Sequence, residues 1–109
     1  QPFLLKKGGR CEQLKLVGFP LGLYDDVTYE EWTLTLDPGD ILVFHSDGLS
    51  EAPDREGRLF GIGRLGTLIE THADLPAGEL ADFLLEAVQD FTAGGPITDD
   101  RTLVVMKVT

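Results

Sequence analysis

Three aspartates stand where this chain could do chemistry. Asp47 follows the apolar run Ile41-Leu42-Val43-Phe44 in the stretch GDILVFHSDGLSEA, and Asp99 and Asp100 precede the apolar run that begins at Leu103. A carboxylate at the mouth of a buried strand is held rigidly, because packing fixes its backbone. Crowded carboxylates repel one another unless a cation lies between them. Oxygen ligands of this kind suit Mn²⁺ or Mg²⁺, hard ions that take few protein ligands and keep several waters. A water bridging two such metals could supply hydroxide at neutral pH and attack phosphorus in line. Two other readings stay open on the residues alone: a structural metal site, or two unrelated capped turns, since Asp47-Gly48 is a common turn pair.

The neighbouring residues narrow the chemistry. His45 lies near Asp47, but on a strand it reads as a packed core residue, and His72 reads as ordinary surface at a helix end. With no histidine cluster and one cysteine, Cys11, a zinc site built on cysteines is excluded. A disulfide within the chain is excluded too, which favours a reducing, cytoplasmic setting. Ser46 has neither a positioned base nor an oxyanion motif to make it a nucleophile. The tip Lys6-Lys7-Gly8-Gly9-Arg10 reads as a solvated turn, with anion binding as the alternative.

The elements that must position the aspartates follow from patterning. Ile41 to Phe44 runs apolar without alternation, which suits a strand covered on both faces. Phe3 to Leu5 and the stretch Leu14, Leu16 and Val17 flank a glycine-rich turn and predict a hairpin. Gly18 to Leu23 reads as a loop lying on the core. Trp32, Leu34 and Leu36 alternate with polar residues, predicting a half-buried strand. Asp37-Pro38-Gly39-Asp40 is a turn signal, so the Ile41 strand is expected to pair antiparallel with Trp32 to Leu36. The charged loop Ala52 to Arg58 reads as solvated surface.

Ile62, Leu65, Leu68 and Ile69 have helical spacing. Gly63 and Gly66 weaken that helix by roughly 1 kcal/mol each relative to Ala. Leu80, Phe83, Leu84, Ala87, Val88 and Phe91 form the stripe of a longer helix that opens near Pro76, with Asp74 close enough to cap it, and ends at Gly94-Gly95-Pro96. Leu103 to Val108 is the last strand. If it lies antiparallel beside the Ile41 strand, Asp47 and Asp99 reach the same edge from fifty-two positions apart. The expected class is α+β, an antiparallel sheet with two helices on one face.

At 109 residues the chain is one small domain. Its net charge of −10 argues against nucleic acid and anionic membranes as partners. No apolar run approaches the roughly 20 residues that span a bilayer. The start, QPFLLKKGGR, has no initiator Met and too short an apolar core for a signal peptide, so the chain reads as cut from something longer, or processed.

GDILVFHSDGLSEA, GRLFGIGRL and ITDDRTLVVMKV, with PLGLYDD and LDPGD, together resemble the C-terminal half of a metal-dependent protein serine/threonine phosphatase of the PPM type, in its SpoIIE-like bacterial branch. The resemblance covers nearly the whole chain, residues 1–109, in order. It implies half of an α-β-β-α sandwich with a two-metal Mn²⁺ or Mg²⁺ site at one edge. By motif, Asp47 and Asp99 would be metal ligands. Gly48 would permit the close turn after the ligand, and Asp100 would have a supporting role. The implied substrate is a phosphoprotein, an anti-sigma-factor antagonist in bacterial signalling. The family's N-terminal Asp-Gly ligand pair, in a DxxGHG-like stretch, has no counterpart here. The chain is therefore expected to be inactive alone, with uncovered sheet faces and edges open to self-association. A degenerate, partner-binding phosphatase relative is the alternative.

Overall fold

The computed structural model describes every residue of the chain except Leu16, Val17, Phe19, Pro96 and Thr98. The predicted strand residues Leu16 and Val17, the loop residue Phe19 and the helix stop at Pro96 lie outside the described residues. Strands β1 (Phe3–Leu5), β2 (Cys11–Gln13), β3 (Ile41–His45) and β4 (Leu103–Lys107) form one antiparallel sheet in the order β2-β1-β3-β4. Between β3 and β4 come a single helical turn, α1 (Asp47–Ser50), and two longer helices, α2 (Ile62–Thr71) and α3 (Ala77–Thr92).

Alternation along the strands decides which side of the sheet is packed. Phe3, Leu5, Ile41 and Val43 share one face and are buried with Leu65, Ile69, Leu80, Leu84 and Val88 of the two helices. Each such aliphatic side chain contributes about 1.5–3 kcal/mol when fully buried. The architecture is thus the expected α+β class, with both long helices on one face. On the other face Leu42 is buried, but Phe44 is 46% and Val104 55% exposed. Cover on both sides of β3 therefore ends before the strand does.

The helices follow the predicted stripes. Gly66 of α2 faces the ring of Phe3, where an added Cβ would lie 3.3 Å from a ring carbon. A residue that weakens the helix as an isolated segment thereby lets it approach the sheet. Pro76, not Asp74, is the residue that enters α3, with no side-chain cap, and Ala93 leaves it in the left-handed region at φ 51°. His72 is not plain surface. Its ring stacks on Phe83 with centroids 3.9 Å apart and joins the end of α2 to α3. Lys107 ties β4 to the connection between those helices by donating to the carbonyls of Ala73 and Leu75, at 2.7 and 3.1 Å.

Two sequence expectations fail. The first hairpin exists, but its second strand is Cys11–Gln13, nearer the turn than Leu14. The alternating stretch around Trp32 to Leu36 is not a strand and does not pair with Ile41. Both sides of β3 are already taken, by β1 and β4 in full register. With no free ladder beside β3, Trp32 and Leu34 stay 45% and 39% exposed.

The Asp37–Asp40 turn does form. Asp40 N–H donates to the Asp37 carbonyl at 3.0 Å, and Gly39 takes φ 94° as the third residue of the turn requires. Asp40 is 1% exposed. Its carboxylate accepts from the Asp37 and Lys7 backbone N–H groups at 2.8 and 2.9 Å and from the Lys6 ammonium. These bonds, that of the Asp37 N–H first, pull its pKa down to about 2.

Candidate metal centre

β3 delivers the first acidic loop. The chain leaves His45, passes through Ser46 in extended conformation and turns at once into α1. Leu49 of that turn is fully buried in the core and Ala52 nearly so. The carbonyls of Ser50 and Ala52 accept from Gly61 and Phe60 N–H groups at 2.8 and 2.9 Å. The intervening charged loop is also ordered from within: Asp54 accepts from Glu56 and Arg58 N–H, both at 2.9 Å, and from Arg58 Nε at 2.8 Å. Asp47 thus projects, exposed, from a turn anchored on its far side.

β4 delivers the second loop. The ladder pairs His45 with Leu103 and continues one step, Ser46 N–H donating to the Thr102 carbonyl at 3.0 Å. Ser46 Oγ donates to the Asp100 carbonyl at 3.1 Å and accepts from Thr102 N–H at 2.9 Å. The Asp100 carbonyl lies directly over Gly48, where any Cβ would overlap it. Asp99 Oδ1 accepts from Asp100 N–H at 2.8 Å. The loop of Asp47 and Gly48 and the loop of Asp99 and Asp100 therefore meet at one corner of the sheet, and all three carboxylates are exposed.

Other residues take lesser parts. The His45 ring packs against Phe3, centroids 5.3 Å apart, and its Nε2 is enclosed without a partner among the described residues. A cavity of about 530 Å³, lined by Leu5, Lys7, Gly39, Glu70, Asp74 and Lys107 among others, opens at the opposite end of the strands. It takes no part in this corner. Sequence reasoning missed the role of Ser46. The signal available was its place between a strand and a helical turn, where a hydroxyl has several possible partners.

The donors fit a hard divalent cation in kind: exposed carboxylates, with no thiolate beside them. They are short in number. Among the described residues no three His, Cys, Asp or Glu side chains converge to hold a metal ion.

Known proteins share this fold and much of this sequence. The chain is 30% identical over 108 residues to stage II sporulation protein E of Bacillus subtilis, spanning 98% of this chain and 13% of that protein. The phosphatase domain of that protein, in a form presoaked with Mn, superposes with a TM-score of 0.62 at 24% identity, matching 98% of this chain and 45% of that domain. Phosphoserine phosphatase RsbU of B. subtilis is 32% identical over 105 residues, 94% of this chain and 30% of RsbU. The SiaA-PP2C domain of Pseudomonas aeruginosa gives a TM-score of 0.77 at 22% identity, over 99% of this chain and 42% of that one. The chain spans less than half of each of these solved domains. The family profile described as Stage II sporulation protein E (SpoIIE) matches residues 1–109, and the chain belongs to that family.

Proposed function

We propose that the chain is the C-terminal portion of a Mn²⁺- or Mg²⁺-dependent protein serine/threonine phosphatase. Its substrate is phosphoserine or phosphothreonine on a cytoplasmic bacterial signalling protein of the anti-sigma-factor-antagonist kind. One observation carries this reading: two acidic loops far apart in sequence, locked together at one corner of the sheet, in a chain whose whole length matches the SpoIIE family. RsbU, which bears the name phosphoserine phosphatase, supports the substrate class.

In this reading Asp47 and Asp99 hold the cation and Asp100 supports the loop. Gly48 leaves room for the Asp100 backbone. When bound there, a divalent cation would make hydroxide available at neutral pH and offset charge on the phosphoryl group. The remaining ligands belong to the other part of the phosphatase domain, so the isolated chain is expected to turn over no phosphoester.

The test is a Mn²⁺ titration of the full-length protein on a phosphoserine protein. Asp47→Asn should lower turnover by at least about 100-fold, since even changes beside a metal ligand cost 10–100-fold. Unchanged turnover in that variant would overturn the assignment. The second reading is a degenerate phosphatase relative, a partner-binding module without catalysis. That reading expects a full-length protein with no Mn²⁺-dependent turnover at all.

A further inference from the structure

Resting on the metal-site reading above, we infer that Ser46 is a positioning residue: its hydroxyl fixes Asp47 relative to Asp99. Ser46 occupies the residue before α1, where a serine ordinarily accepts a hydrogen bond from the first turn of its own helix. Here it makes no such bond. The hydroxyl turns instead to the opposing loop and uses both its donor and its acceptor capacity there, toward the Asp100 carbonyl and the Thr102 N–H. Together with the bond from Ser46 N–H to Thr102, three hydrogen bonds from one residue grip the segment that follows Asp99.

The grip sits one residue from each acid's own anchor. Asp47 is bonded directly to Ser46 in the chain, and Asp99 holds the Asp100 N–H whose residue supplies the gripped carbonyl. The arrangement also explains why Ser46 is no nucleophile. Its proton is committed to a carbonyl and a lone pair to an amide. Groups that orient ligands from behind typically alter metal affinity 10–100-fold when removed.

The experiment is Mn²⁺ binding to the full-length protein, read as free Mn²⁺ by electron paramagnetic resonance, beside the thermal midpoint without metal. Ser46→Ala should weaken Mn²⁺ binding about tenfold while the metal-free midpoint changes little. Ser46→Thr, which keeps the hydroxyl, should restore wild-type affinity. Should Ser46→Ala not fold, Ser46→Cys, a weaker hydrogen bonder of similar size, reads the same quantity. Several-fold weaker binding supports the role. Wild-type affinity in a folded Ala or Cys variant overturns it and leaves the metal reading standing. Absence of Mn²⁺ binding in the wild-type protein overturns both.

Discussion

Strand β3 carries an aspartate near each end, and the two are used in opposite ways. Asp40, just before the strand, is buried and accepts from three donors. Asp47, just after it, is exposed, and among the described residues its side chain has no hydrogen-bond partner. The backbone repeats the contrast. Beside Asp40, β3 and the residue after β4 are joined by two main-chain bonds, Gly39 to Val108 and Val108 to Asp40, at 2.8 and 2.9 Å. Beside Asp47 one main-chain bond, from Ser46 N–H to the Thr102 carbonyl, is supplemented by two through the Ser46 hydroxyl. A carboxylate whose lone pairs are already filled stabilises a turn. One left open at a rigid corner remains available to a ligand.

The contrast is sharpest in a pair of variants. Asp47→Asn should abolish Mn²⁺-dependent turnover in the full-length protein and leave the thermal midpoint nearly unchanged. Asp40→Ala should do the reverse. It strands the Asp37 and Lys7 amides and the Lys6 ammonium, and should lower the midpoint by about 5 °C or more, with turnover per folded molecule retained. Similar behaviour of the two variants would break the distinction.

Acid provides a finer test. The pKa of Asp40 is lowered in the folded state to about 2, from an ordinary value of 3.8. The unfolded chain therefore binds the proton first as pH falls, so the stabilisation is complete above about pH 4 and is lost between there and pH 2. Asp40→Asn should flatten that part of a stability-against-pH curve. The smallest effect concerns Cys11, which pairs with Leu5 at the Asp40 end of the sheet. Burial first, then the charges of Glu70 and Glu12, push its thiol up to about 11. Labelling by a thiol reagent at pH 8 should be markedly slower in the folded than in the denatured protein.

What could be read from sequence divides along physical lines. The continuous run at Ile41 and the 3,4 spacing in α2 and α3 report burial that each segment carries in its own residues, and those elements form as expected. The acidic corner was legible because two strand–loop junctions with opposite polarity can meet in only one way in an antiparallel pair. Pairing partners were not legible. Alternation at Trp32 to Leu36 states which side chains would be buried if a ladder were free, but not whether β1 and β4 have already filled it. Asp40 looked like a turn residue, because its three donors come from two separate turns. In the sequence Ser46 reads only as a poor nucleophile, because its hydroxyl's partners lie in a loop more than fifty residues away.

Among the described residues, the sheet order leaves β4 at the rim, hydrogen-bonded to β3 alone of the strands. Lys107 staples its far end to the link between α2 and α3, while its near end leads straight into the acidic loop. Losing the Ser46 hydrogen bonds would free that near end, letting Asp99 move from Asp47 while Leu65, Leu80 and Leu84 stay packed. Retained helicity is therefore a poor proxy for an intact corner.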